Sequence, residues 1–380
     1  MIQDAFQTQI RPIDKASMAE AKRLLLAGEV VAVPTETVYG LAADATNAFG
    51  VTAIYGAKGR PSFNPLIVHV ERRLSRLEDL HLAGIIDRTS LTLAAQAAAQ
   101  RLMDLFWPGP LTIVLPRGER IVDEATGGLD TVGIRMPGHP GFQALLQEVE
   151  VPLAAPSANR SKRISPTTAA HVMDELGGRI PLILDGGETT VGVESSIVAV
   201  EPDGSLKLLR PGGIPVEKIS ADSCLGILVP EPECQSVILA PGMMLEHYAP
   251  GKPLALIKRD GGDSLSRWLM VHSRRDTGAL PGVDKSRVAV GVLLFDDNGR
   301  LPSAWSTALS ARKVKTISLS PSAGGELAAK GLFAALRFMD GADTDVIVVE
   351  NPSQDGGLWP AIRDRLRRAS ARWSLDNTPE

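Results

Sequence analysis

Residues 17–40 read Ser17-Met-Ala-Glu-Ala-Lys-Arg-Leu-Leu-Leu-Ala-Gly-Glu-Val-Val-Ala-Val-Pro-Thr-Glu-Thr-Val-Tyr-Gly40, and two periodicities meet in them. Ser17-Met-Ala-Glu20 has the form of a capping box that opens a helix through Ala27, with Gly28 as its stop. Val30 to Val33 then form a β-branched run that reads as a strand. Pro34 cannot continue a ladder, so the chain leaves the strand there and presents Thr35, Thr37 and Tyr39 as a group of hydroxyls. Helix, strand and functional loop in succession are the building unit of an α/β domain.

The same alternation continues outward. Short apolar runs predict strands at 66–70, 111–115, 132–136, 153–155, 182–184, 196–200 and 206–209, with helical patterns at 91–105 and 167–176 between them. After Arg210-Pro-Gly-Gly-Ile-Pro215 the text turns irregular and proline-rich, so 216–253 reads as a linker. Strand-like runs at 254–257, 288–295, 314–319 and 346–349, with helical patterns at 326–339 and 359–371, then predict a second, smaller α/β unit. The expected division is 1–215, 216–253 and 254–380.

Composition agrees with that division. A length of 380 residues exceeds one ordinary core, and 44% hydrophobic with 22% charged residues is a folding balance. Lys and Arg number 40 against 44 Asp and Glu, so 40 − 44 gives −4. That lacks the basic excess of a protein that grips duplex nucleic acid by its phosphates. Met1 to Asp14 hold no apolar run long enough for a signal peptide, and no stretch reaches the ~20 apolar residues of a membrane span. A soluble cytoplasmic protein is expected. Cys224 and Cys234 form neither a C-x-x-C nor a disulfide framework and read as reduced thiols.

Absences narrow the chemistry. Gly251-Lys252 is followed by Pro253, so no P-loop is present, and G-x-G-x-x-G, G-x-S-x-G and H-E-x-x-H are missing. What remains is a series of loops with hydroxyls, prolines and single cations. Lys58-Gly-Arg60 sets two cations around a glycine that would let them approach a phosphate, or forms a solvated basic turn. Arg135 stands in the apolar run Thr131-Val-Gly-Ile-Arg135, where an arginine is usually paired or bound to a ligand. Ser165-Pro166 reads as an N-cap followed by Pro at the first helical position. His69 ends an apolar strand and reads as a core histidine or a ligand. Arg210 before Pro-Gly-Gly is a turn or a site. Lys58, Arg60, Arg135 and Arg210, with the hydroxyls, could meet at strand ends on a small anionic ligand. No Ser-His-Asp, Cys-His or carboxylate pair stands out, so the chemistry is one of positioning and charge stabilisation.

Taken in order, these segments resemble the YrdC-like threonylcarbamoyl-AMP synthase family in its long two-domain form. The resemblance rests on P-T-E-T-V-Y-G at 34–40, K-G-R-P at 58–61, N-P-L-I-V-H-V at 64–70, F-W-P-G-P-L-T at 106–112, G-I-R-M-P at 133–137, A-P-S-A-N at 155–159, E-S-S at 194–196, R-P-G at 210–212 and P-G-M-M-L-E-H-Y-A-P at 241–250. It implies a YrdC-like twisted sheet followed by a small Rossmann-like domain. It also implies an enzyme that joins L-threonine, bicarbonate and ATP, with Mg2+, into threonylcarbamoyl-AMP and pyrophosphate. The product would pass to a tRNA-modifying transferase complex for modification of adenosine 37, with no stable nucleic-acid complex and no membrane. By the family pattern Thr35, His69, Arg135 and Ser195 hold threonine. Arg60, Asn64, Thr131, Ser157, Ser165 and Arg210 hold the nucleotide, with Lys58 near the phosphates and Lys58 and Arg60 as the catalytic cations. His247 and Tyr248 of the linker would close over the site, Tyr248 against the nucleotide. Two departures from the family pattern are Ala240 before Pro-Gly-Met and Met244-Leu245-Glu246 before His-Tyr; Phe63 is a third. The alternatives are an RNA-binding module of the same fold and a carbamoyl-transfer maturation enzyme. The latter would need acylphosphatase and zinc-finger regions for which this chain lacks the length and the cysteines.

Overall fold

The structure, a computed structural model, describes residues 6–230, 246–272, 288–296, 298–321 and 324–374. They cluster into two compact units, one of 6–161 with 165–230 and the other of 162–164 with the described residues from 246 onward.

The first unit runs β1 (Gln9–Pro12), α1 (Lys15–Leu26), β2 (Val31–Val33), β3 (Gly40–Asp44), α2 (Ala48–Lys58), β4 (Ile67–His69), α3 (Leu77–Leu82), α4 (Leu93–Phe106), β5 (Leu111–Pro116), α5 (Asp123–Thr126), β6 (Thr131–Arg135), α6 (Pro140–Val149), β7 (Leu153–Ala154), α7 (Ala169–Leu176), β8 (Leu182–Asp185), β9 (Ser196–Val200), β10 (Leu206–Arg210), α8 (Val216–Ser223) and β11 (Ile227–Leu228). Its strands form one mixed sheet in the order β1-β8-β2-β3-β7-β4-β6-β5-β9-β10-β11.

Two expectations about caps are corrected. The capping box of α1 lies one turn earlier: Asp14 is the N-cap and accepts from Ser17 N at 2.8 Å, while Ser17 Oγ accepts from Asp14 N at 3.0 Å. Asp caps at least as well as Ser, and Ser17 can reciprocate from the third helical position. Ser165 is likewise no cap. Thr168 caps α7, accepting from His171 N. A third correction concerns 216–253, which opens with ordered structure: α8 follows Pro215, buries Ile219 in the main core, and leads to β11 alongside β10. Proline-rich text hides one short helix well, because its caps look like turn residues. Ala240, Met244, Leu245 and Cys234 fall outside the described residues.

Alternation along the central strands positions the site. Val68 on β4, Val132 and Ile134 on β6, Leu111, Ile113 and Leu115 on β5 and Val198 on β9 enter the large core shared with α2, α3, α4 and α7. Residues one step out of phase face the other way. There α1 and α6 cover the β8-β2-β3-β7 side. Over the β4-β6-β5-β9-β10 side the same face carries, among the described residues, the small cluster Ile67, Val114, Ile197 and Leu209, and, in phase with it, His69, Thr131, Gly133, Arg135 and Thr112.

The second unit contains β12 (Leu254–Ile257), α9 (Gly262–His272), β13 (Val290–Leu294), α10 (Ser306–Leu309), β14 (Val314–Ser318), α11 (Glu326–Gly341), β15 (Val346–Glu350) and α12 (Trp359–Ser370). Its four strands are parallel, in the order β12-β15-β13-β14. Trp268 and Leu269 of α9, Trp305 just before α10 and Leu309 of α10 pack with Val290, Val292 and Leu294 on one face. Met339 of α11 lies against Gly291 on the other.

Candidate functional site

The loops of the first unit are laced together by contacts that single motifs do not reveal. Arg210, at the end of β10, donates from Nη2 to the Ser195 carbonyl at 2.9 Å and to Ser195 Oγ at 3.1 Å. Ser195 Oγ also lies 2.8 Å from Thr112 Oγ1. Gly213 N donates to Glu194 O at 2.9 Å, and a Cβ on Gly212 would sit 2.3 to 2.4 Å from the Glu194 and Ser195 backbone. Only glycine lets the R-P-G turn press so closely on E-S-S. Two motifs about fifteen residues apart are one unit, and they join a predicted threonine contact, Ser195, to a predicted nucleotide contact, Arg210.

His69 and Arg135 are cross-strand partners of the parallel pair β4–β6. Both are buried. Arg135 Nη2 binds Glu36 Oε1 at 2.6 Å, its Nε donates to Gly109 O at 3.3 Å, and Glu36 Oε2 accepts from Gly138 N at 3.0 Å. Burial, followed by the charge of Arg135, holds His69 down to about 3. It is therefore a neutral imidazole at any ordinary pH. Its ring packs on Phe142 with centroids 5.3 Å apart, and its Nδ1 has no hydrogen-bond partner among the described residues.

Lys58 closes α2, and Gly59 follows as a left-handed C-cap at φ 60°. The glycine between the two cations thus serves to end the helix, with open space where its Cβ would be, rather than to admit a ligand. Lys58 Nζ is buried and donates to the carbonyls of Ser157 and Asn159. Burial, then the neighbouring Arg60, pushes its pKa well below the usual lysine value, against a smaller upward pull from Glu175. Arg60 reaches Pro65 O at 3.0 Å and Asn64 O at 3.4 Å, so it organises the loop that delivers Asn64. Lys58 does the same for Ser157, which bridges to Gly40 across the β2–β3 loop.

The remaining expected residues are more separate. Thr35 Oγ1 donates to Val38 O at 2.7 Å and accepts from the amides of Thr37 and Val38, so its hydroxyl builds the turn of the 34–40 loop. Ser165 Oγ donates to Glu194 Oε1 at 2.6 Å. Thr131 opens β6 opposite Pro116. Tyr248 belongs to the second unit, where it sits at φ 62° with its ring 5.6 Å from that of Phe333 and the Arg365 guanidinium 5.4 Å from the ring centre. The expected placement at strand ends holds for His69, Arg135 and Arg210, the last residues of β4, β6 and β10, and for Ser195 just before β9, while Thr131 opens β6 at its other end. Sequence reasoning missed Glu36, Thr112 and Glu194. Glu36 lies inside the quoted P-T-E-T-V-Y-G stretch, and the cue was a carboxylate among hydroxyls in a chain with a buried arginine to balance.

Comparison with known proteins accords with this geometry. A family model described as "Telomere recombination" matches residues 23–212. A second, described as "Threonylcarbamoyl-AMP synthase, C-terminal domain", matches 214–371. The chain is 40% identical over 361 residues to the threonylcarbamoyl-AMP synthase of Bacillus subtilis (strain 168), covering 93% of this chain and 92% of that one. It is 37% identical over 349 residues to the threonylcarbamoyl-AMP synthase of Pyrococcus abyssi, covering 90% and 91%. The crystal structure of P. abyssi Sua5 complexed with L-threonine superposes with a TM-score of 0.75 at 34% identity over 96% of this chain and 97% of that one. No described helix is long and apolar enough to cross a membrane. On sequence and fold together, the chain belongs to the threonylcarbamoyl-AMP synthase family.

Proposed function

We propose that this chain joins L-threonine, bicarbonate and ATP into threonylcarbamoyl-AMP with release of pyrophosphate, as a nucleotidyltransferase of the cytoplasm. The observation that carries the reading is a group of buried cations, Lys58, Arg60, Arg135 and Arg210, reached by motifs scattered over 150 residues of chain and hydrogen-bonded largely to main-chain carbonyls. Carbonyl dipoles solvate a cation without cancelling its charge, so positive potential is left for a polyanion.

In this reading His69, Arg135, Thr35 and Ser195 hold threonine. Neutral His69 is a hydrogen-bonding group and not an acid. Arg60, Asn64, Thr131, Ser157, Ser165 and Arg210 hold the nucleotide, and Lys58 stiffens the 155–159 loop beneath the phosphates. The threonine amine adds to CO2 drawn from bicarbonate, losing a proton to give a carbamate. A carbamate oxygen then attacks the α-phosphate, and the bond to the pyrophosphate oxygen breaks as the new P–O bond forms. No protein nucleophile takes part.

Mg2+ fits as an ion that arrives on ATP. Among the described residues no three His, Cys, Asp or Glu side chains cluster as metal ligands. The oxygen donors at hand are hydroxyls, with the Glu194 carboxylate beside Ser165, a set suited to an ion held mostly by phosphate and water. When bound, it supplies neutralisation of the pyrophosphate charge. The product is passed to a tRNA-modifying transferase complex, and tRNA itself is not held. The test is pyrophosphate release by the purified chain with ATP and Mg2+. Release should require both L-threonine and bicarbonate; release that continues without either one contradicts the proposal.

A further inference from the structure

The second unit carries a cavity of about 970 Å³, and none of its lining residues is among those assigned above to threonine or the nucleotide. Its walls are the loops that follow β12, β13 and β15, which places it at the carboxyl ends of three parallel strands. The topology explains why a crevice opens there. β12 and β15 are neighbours in the sheet, yet the chain leaves β12 into α9 on the face bearing Trp268 and Trp305. It leaves β15 into α12, which packs with α11 on the opposite face. Loops that part to opposite faces leave a gap between them, the position at which open parallel sheets bind ligands.

The charges on the rim define the ligand. Arg259 is fixed by Glu350 at 2.7 Å and Asp296 at 3.0 Å. Arg363 is fixed by Asp355 at 3.1 Å. Two of the charged side chains have no such partner among the described residues. Lys258 and Asp260 are both exposed on the cavity wall, and neither side chain makes a hydrogen bond or ion pair among the described residues. They stand two apart in the turn Lys258-Arg-Asp-Gly-Gly262, which enters the 11-residue helix α9. A cation beside a helix start suits a phosphate, and a carboxylate beside it suits hydroxyl donors. The volume lies within the range of small-molecule sites.

We propose that this cavity binds a nucleoside phosphate, with the phosphate toward Lys258 and the sugar hydroxyls toward Asp260. It is a second site, separate in its residues from the one on the large sheet, and it gives the small domain a ligand of its own.

The test uses the full chain and titration calorimetry with AMP, GMP, CMP and UMP, with inorganic phosphate as a control. At least one monophosphate should bind in an Arg210→Ala background, where the first nucleotide site is disabled. Its affinity should fall about tenfold or more in Lys258→Ala and in Asp260→Asn. Trp305, whose indole N–H donates to the Lys258 carbonyl at 3.1 Å, provides a second readout. Its fluorescence should change on binding, and the change should vanish in Trp305→Phe. Lys258→Ala should leave threonine-dependent pyrophosphate release by the otherwise wild-type chain intact. Absence of binding by all four monophosphates in the Arg210→Ala background overturns the proposal, as does binding indifferent to Lys258 and Asp260. Inorganic phosphate binding as tightly as the monophosphates overturns the nucleoside assignment.

Discussion

Two regions of this molecule bury arginine, and they do so in opposite ways. On α12, Asp364 accepts from Arg368 Nε at 3.0 Å, Arg365 Nη1 at 3.1 Å and Arg367 Nη2 at 3.4 Å. All four groups lie within five residues of one helix, and Arg365 and Asp364 are almost wholly enclosed. One carboxylate is shared by three guanidiniums of the same helix, so this pairing is local. On the large sheet, Lys58, Arg60, Arg135 and Arg210 come from α2, the loop after it, β6 and β10, and most of their hydrogen bonds end on backbone oxygen. Arg135 also pairs with the carboxylate of Glu36. The first arrangement gathers its charges within one helix; the second draws them from distant segments of chain, and on the function proposed above they serve a substrate.

The contrast breaks first at Asp364. Asp364→Ala would strand buried arginines without their shared carboxylate, at a cost of about 3–5 kcal/mol. Denaturant unfolding should show that loss, while the folded fraction keeps its KM for ATP. A raised KM with undiminished stability would place α12 in the binding machinery instead. Arg60→Ala should do the reverse, lowering threonine-dependent pyrophosphate release by about a hundredfold or more with the circular dichroism spectrum retained. Undiminished release would remove Arg60 from the site.

Gly212→Ala sharpens the comparison by disturbing the carbonyl side of the site without touching a charge. Its Cβ would overlap the Ser195 backbone. A loss of about 1–3 kcal/mol in stability is expected, together with lower turnover, because Arg210 is aimed by that backbone. Wild-type stability and rate in this variant would contradict the close packing.

The smallest effect concerns His69 and pH. Its folded pKa of about 3 lies below the ordinary histidine value of 6.5, so the folded state prefers the neutral ring. That contribution is complete above pH 6.5 and is lost as the pH falls toward 3, reaching about 2 kcal/mol by pH 5. Between pH 7.5 and 5, wild type should therefore lose about that much more stability than His69→Asn, measured by urea unfolding. Equal losses would show that His69 protonates freely in the folded state.

Much of this was legible in the chain, for physical reasons that differ by element. β9 and β12 coincide with their predicted bounds because short apolar runs bounded by polar and turn residues leave little choice. β3, Gly-Leu-Ala-Ala-Asp, went unread because it is buried throughout and has no β-branched residue. α2 is apolar on nearly every side and shows little helical periodicity, so its sequence does not announce a helix whose stop is Gly59. α6 begins with a proline at the first helical position, a signal that was present and passed over. At the site, the cations were visible because arginine in an apolar strand is costly. Glu36 was not, since its partner Arg135 is 99 residues away and only the fold brings them together.

The central claim is that Arg60 and Arg210, the carbonyl-bound arginines of the loop after α2 and of β10, hold the nucleotide. Titration of ATP with Mg2+ into the full chain, wild type against Arg210→Ala, tests it most directly. The variant should keep its unfolding midpoint within a few degrees and lose at least about tenfold in affinity at the tighter ATP site. An ATP affinity equal to wild type in a folded Arg210→Ala protein would place the nucleotide elsewhere.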